Sequence, residues 1–302
     1  MSTEALIHVG FPKTGTKTLQ SQFFPHHPDV DYLGAPYDDA GVRDFISYIR
    51  DSQEASYRRD IAQKKFEAAI LPLHSDGKIF AISDEDLTSY EFVDRLTMVQ
   101  RLQELFGSVK IVVSVRHQLS QLESYYFQAL RWYLRPGGII IPFKNFIADT
   151  LPMPRVSPVH NVLYFDLCRA YEELVGSDSL KIVVFEDFKS DNSKTLHEIC
   201  LFAGISGMSA SISPVTAENV RATGPYMLYK KIRAVIAPSV AISRFIPAPI
   251  TRKLRQIINN GAPASVTWDK ETKNELWNFF KEDNRKLAAR FNLDLERHNY
   301  PL

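Results

Sequence analysis

The sequence predicts an α/β fold, a three-layer sandwich built around a central parallel sheet. Three observations carry that expectation. Short, nearly continuous apolar runs recur along the chain, at residues 5–10 (ALIHVG), 78–83 (KIFAIS), 109–115 (VKIVVSV) and 180–185 (LKIVVF). Runs of that kind suit strands buried on both faces, as in a parallel sheet covered by helices. Segments of helical pattern separate them, which is the alternation of βα units. The first run ends in a glycine-containing turn, Gly10 to Thr18 (GFPKTGTKT), before a helix. A turn of that kind between strand and helix makes a P-loop-like nucleotide-binding core.

The elements follow in order. Thr16 to Phe24 reads as a helix, ended by Pro25 and Pro28. Residues 42–71 carry helical charge patterning (RRDIAQKKFEAAI). A helix is expected over 92–106, with Gly107 at its end. Helices are also expected over 118–134, 160–175 and 190–204, the last closed by Gly204. A polar, amphipathic helix closes the chain at about 269–291. The expected organisation is one domain over 1–302: a nucleotide-binding core at 1–206, a basic lid or acceptor segment at 207–268, and a C-terminal helix at 269–302.

Composition is that of an ordinary globular protein: 45 % apolar and 24 % charged, over 302 residues. The formal charge of +1 selects no partner by itself, and no nucleic acid is expected. Cys168 and Cys200 stand in apolar helical segments and read as buried free thiols, with one disulfide between them as the alternative. The first residues lack the charged and apolar regions of a signal peptide, and no apolar run is long enough to span a membrane. A cytoplasmic location is the expectation.

The turn itself departs from the pattern of nucleotide triphosphatases, GxxxxGK[ST]. Gly10 and Gly15 have the right spacing, but Thr16 follows Gly15 and Lys17 comes one place late. Lys13 lies inside the turn. Backbone N–H groups at such a turn, helped by the helix dipole, suit a phosphate or sulfate. Lys13 and the hydroxyls of Thr16 or Thr18 would add a cation and donors. A plain strand–helix turn with the same residues is the alternative.

Two more features belong to the same end of an open α/β sheet. Arg116 ends the third apolar run, and Ser124 lies about two helical turns further on. An arginine fork with a hydroxyl suits a phosphate monoester. Ser83-Asp84-Glu85-Asp86 leaves the second run, and crowded carboxylates raise one another's pKa, as a base requires. Ser83 or Asp84 capping a short helix is the competing role. His117 and His160 are alternative bases. No cluster of metal-ligand type is seen, so no metal is expected.

The turn resembles the 5′-phosphosulfate loop of the PAPS-dependent sulfotransferases, written PKTGTT or PKSGTT, where PAPS is 3′-phosphoadenosine 5′-phosphosulfate. Pro12, Lys13, Thr14, Gly15 and Thr16 match; Lys17 replaces a hydroxyl residue, and Thr18 follows. Arg116 and Ser124 resemble the same family's 3′-phosphate motif. Ile182 to Gly204 and Asn284 to Leu295 are similar to its later strand–helix unit and C-terminal helix. The resemblance implies a sulfotransferase of the soluble bacterial type that uses PAPS as donor. It implies that Lys13 contacts the phosphosulfate bridge and that Glu85, in Ser83-Asp84-Glu85, is the base. It also implies an Asn/Arg/Lys-rich loop over the 3′-phosphate, for which Arg221 is the candidate. The expected acceptor is a small molecule or glycan, with a carbohydrate or glycolipid hydroxyl, or an amine, taking the sulfuryl group. A P-loop small-molecule kinase or NTPase using Mg-ATP is the second reading, and a non-catalytic anion- or membrane-binding protein of the same fold is the third.

From Asn219 to Trp268 there is no Asp or Glu, while Arg221, Lys230, Lys231, Arg233, Arg244, Arg252, Lys253 and Arg255 lie there with apolar residues between. Basic amphipathic stretches suit an anionic membrane or polyanion, and a peripheral membrane contact through 219–268 is the corresponding expectation. A solvated positive face is the alternative.

Overall fold

Five parallel strands form the centre of the chain, in the order β2-β3-β1-β4-β5. They are β1 (Thr3–Gly10), β2 (Val30–Tyr32), β3 (Ile79–Ser83), β4 (Gly107–Val115) and β5 (Leu180–Val184). The computed structural model describes residues 3–88, 94–133, 142–152, 157–207, 223–225 and 264–302. β1 occupies the middle, with Ile7 opposite Ile82 of β3 and Ile111 of β4. The order reverses at β1, so the C-terminal ends of β3, β1 and β4 meet at the crevice where open α/β sheets hold ligands.

Each strand divides its side chains between two layers, because successive residues face opposite ways. Ala5, Ile7, Val9, Phe80, Ile82, Ile111 and Val113 pack into the larger core. Leu6, Ala81, Val112 and Val183 pack into the smaller one, with Phe23, Phe24 and Ile199. The sandwich therefore has the three layers that the apolar runs imply.

The helices supply the outer layers: α1 (Thr16–Thr18), α2 (Ala40–Asp51), α3 (Arg59–Ala69), α4 (Arg95–Phe106), α5 (Gln118–Tyr133), α6 (Phe143–Thr150), α7 (Pro158–Asn161), α8 (Phe165–Val175), α9 (Phe185–Ser190), α10 (Asn192–Ala203) and α11 (Lys270–Phe291). Four elements differ from expectation. β2 is an edge strand of three residues with no apolar run to announce it. The helix expected after Gly15 is α only at Thr16–Thr18, then widens into a π turn over Leu19–Phe23. The segment 42–71 breaks into α2 and α3, which fold back so that the Phe45 and Phe66 rings lie 5.9 Å apart. The segment 160–175 breaks at Val162–Tyr164, because Asp283 of α11 accepts from the backbone N–H of Tyr164 (2.9 Å) and Phe165 (3.2 Å) and so starts α8. Cys168 and Cys200 are free and buried.

α11 is also fastened to the start of α5. Asn284, fully buried, exchanges amide hydrogen bonds with Gln118 (2.5 and 3.2 Å) and donates to the Pro301 carbonyl (2.9 Å). Replacing Asn284 by Ala orphans a buried amide and a buried carbonyl. We expect the unfolding free energy to fall by about 1–3 kcal/mol, read as a lower midpoint in urea with an unchanged slope.

Candidate functional site

The turn after β1 is held from within. Phe11, fully buried, anchors it, and its carbonyl accepts from the Thr14 N–H (3.2 Å) and the Thr14 hydroxyl (2.5 Å). The Thr18 N–H donates to the Gly15 carbonyl (3.0 Å) as α1 begins. Two residues take left-handed backbone angles, Lys13 at φ 75° and Gly15 at φ 84°. Glycine adopts that region freely; a lysine there costs about 1–2 kcal/mol. Alternating backbone hands turn successive N–H groups toward one spot, the geometry of an anion nest. The floor is close: a Cβ on Gly10 would lie 2.5 Å from Thr16 Oγ1 and 2.8 Å from His8 Cε1. A Cβ on Gly15 would lie 3.0 Å from the Phe188 ring. Neither glycine could carry a side chain without displacing these neighbours, and the backbone nest of the turn fits a phosphate or sulfate.

Arg116 follows β4 directly and reaches the same turn. Its Nη1 donates to the Lys13 carbonyl (2.8 Å), and its guanidinium lies 4.8 Å from the centre of the Phe185 ring. The Tyr164 hydroxyl donates to the Arg116 carbonyl (2.7 Å) and also contacts Gln121 Oε1. Gln121 Nε2 donates to the Pro12 carbonyl (2.9 Å). The loop and the end of β4 are thus one hydrogen-bonded unit. Below it, Glu186 accepts from the His117 N–H (3.1 Å) and from the Tyr300 hydroxyl (2.9 Å), so the chain's last residues brace this corner.

The acids after β3 divide into two kinds. Asp84 is buried. It accepts from the Tyr37 hydroxyl and from the Asp86 N–H (2.9 Å), and Arg50 Nη1 lies 3.9 Å from it. Burial pushes its carboxyl up to about 6, against the pull of Tyr37. Glu85 begins a short 3-10 turn, Glu85–Thr88, and is only half buried. Its carboxyl is also raised, first by burial; the charges of Lys13 and then Lys17 pull it back, and Asp86 pushes it up. Asp84 therefore caps the turn, while the Glu85 carboxyl feels the charges of the lysines after β1.

Of the residues expected from sequence, the structure brings Pro12, Lys13, Thr14, Gly15, Thr16, Thr18, Glu85 and Arg116 to one end of the sheet. Thr14, Thr16 and Thr18 are buried, and Lys17 is exposed on α1. Ser124 is partly exposed on α5. Arg221 lies outside the described residues, as does nearly all of 207–268. His117 and His160 are engaged elsewhere, with Nε2 2.8 Å from the Asn299 carbonyl and 2.8 Å from the Leu151 carbonyl respectively. Among the described residues, no group of three or more His, Cys, Asp or Glu gathers as metal ligands would, and no helix is long and apolar enough to cross a membrane. Sequence reasoning missed His8, Tyr37, Gln121, Tyr164 and Phe185. Gln118 and Gln121 carry the one usable signal, two amides three apart on the apolar face of a helix.

No family model matches the chain, and no curated protein matches it. Solved structures do. The crystal structure of a sulfotransferase from Alicyclobacillus acidocaldarius aligns with 98 % of this chain and 99 % of its own, at 16 % identity and a TM-score of 0.58. A mouse sulfotransferase crystallised with PAP aligns with 98 % of this chain and 87 % of its own, at 16 % identity and a TM-score of 0.47. The first of these likenesses carries the assignment: the chain has a sulfotransferase fold.

Proposed function

From that fold, we propose that the chain moves a sulfuryl group from PAPS to a hydroxyl or amine acceptor, in line, with a carboxylate base. The observation that supports this most is the bond from Arg116 to the Lys13 carbonyl. It joins two cationic corners at adjacent strand ends, as a nucleotide with phosphates at both its 3′ and 5′ positions requires. The turn from Pro12 to Thr18 would hold the 5′-phosphosulfate, and Arg116, Ser124 and Arg221 the 3′-phosphate. The donor supplies an activated sulfuryl group whose departing partner is a phosphate oxygen. Lys13 places positive charge where that oxygen gains negative charge. Glu85 takes the acceptor's proton.

A carbohydrate or glycolipid is the proposed acceptor class, with segment 207–268 as its lid and the basic stretch 219–268 as the contact with an anionic membrane or polyanionic glycan. We propose no metal and no nucleic-acid partner.

The test compares thermal stabilisation by 3′-phosphoadenosine 5′-phosphate (PAP), ADP and Mg-ATP. A ligand at about 100 times its Kd adds about 2.7 kcal/mol. We expect a shift with PAP, independent of Mg²⁺, that Arg116→Ala abolishes while a small ADP shift survives. A shift with Mg-ATP alone would replace this reading with the kinase one.

A further inference from the structure

A buried polar row crosses the sheet just below the candidate site. His8, in β1, is fully buried. Its Nδ1 lies 2.7 Å from the Ser83 hydroxyl on β3, and its Nε2 lies 2.9 Å from the Ser114 hydroxyl on β4. Both serines are buried as well. Ser83 directly precedes Asp84 and Glu85, and Ser114 stands two places before Arg116. The ring edge also forms part of the floor of the turn, 2.8 Å from where a Gly10 Cβ would be. One side chain therefore touches all three strand ends that carry the site.

The surroundings do not call for a polar group. Leu6, Phe24, Ala81 and Val112 fill the same layer. Burying an imidazole there costs free energy unless both ring nitrogens are bonded. Burial keeps the ring neutral, with its pKa lowered to about 3. A neutral ring has one N–H and one lone pair, so one serine accepts from it and the other donates to it. Strand pairing itself needs none of this, because the main-chain ladder already joins β1 to β3 and β4. What the row adds is a fixed spacing at the strand ends.

We propose that His8 is a positioning residue, which through Ser83 and Ser114 sets the placement of Glu85 and Arg116 on either side of the Lys13 turn. This rests on the transfer reading above.

The two arms of the row should separate in experiment. Ser83→Ala loosens the strand end leading to Glu85, and we expect kcat to fall about tenfold with PAP affinity nearly kept. Ser114→Ala loosens the strand end leading to Arg116, and we expect PAP affinity, by calorimetry, to fall about tenfold with a smaller change in kcat. His8→Leu should combine both losses, and His8→Gln, whose amide supplies both a donor and an acceptor, should recover part of each. Serine variants that lower the melting temperature but leave kcat and PAP affinity at wild-type values would overturn the assignment, and so would equal losses of both quantities in both variants. A wild-type chain that binds no PAP and transfers no sulfuryl group would sink the transfer reading, and this inference with it.

Discussion

We expect Lys13→Met to lower kcat about 10²–10³-fold while PAP affinity changes by only a few-fold. Lys13 sits at φ 75°, where a side chain is strained, and Arg116 holds its carbonyl in place. The surrounding structure thus fixes where the ammonium starts from. Strain of this kind persists where neighbouring contacts over-determine it, and it clusters at functional positions. A fixed cation beside a bridging oxygen gains most when that oxygen takes on charge, so its removal should fall on kcat. The backbone N–H groups and Arg116 would still bind the product nucleotide. Steady-state kinetics with PAPS and calorimetry with PAP check the split. A loss confined to KM would make Lys13 a cation that binds ground and transition states alike, and its proposed role would fail. Methionine keeps the length and the apolar stem, so the loop's own packing is disturbed little.

The fold was legible where chemistry repeats along the chain. Four of the five strands are nearly continuous apolar runs, and their boundaries agree with the sequence to within one or two residues. β2 escaped because an edge strand of three residues, Val-Asp-Tyr, buries too little to show a pattern. The break before α8 escaped because its cause, Asp283, is more than a hundred residues away in sequence. The same distinction governs the site. Lys13 and Arg116 were legible because each follows the C-terminal end of a strand, and strand ends converge in an open sheet. What joins them was not, since Gln121 and Tyr164 act through backbone carbonyls and carry no motif. His8 looked like one more residue of a buried strand. Only the register, which puts Ser83 and Ser114 on its two flanks, shows why a ring rather than an aliphatic side chain stands there.

We expect Glu85→Gln to lower kcat by about 10²–10⁴-fold, the usual contribution of a general base, and to leave PAP-induced stabilisation intact. The choice between Glu85 and Asp84 turns on what each carboxylate already does. Asp84 is spent on Tyr37, Arg50 and the Asp86 N–H, and it is buried away from solvent. Glu85 is half buried, and its carboxyl feels the charges of Lys13 and Lys17, the lysines of the turn after β1. A base must be ionised to act, so the rate should rise with pH through its pKa. Burial raises the Glu85 pKa, which places the acidic limb of the profile above the ordinary range for a glutamate. That limb should vanish in Glu85→Gln and leave a low, flat profile. Asp84→Asn should behave differently: burial already disfavours the charge at that position, and the limb should stay because Glu85 still titrates. If the limb instead survives Glu85→Gln and disappears in Asp84→Asn, the base is the buried aspartate, and Tyr37 becomes the group that hands it the acceptor's proton.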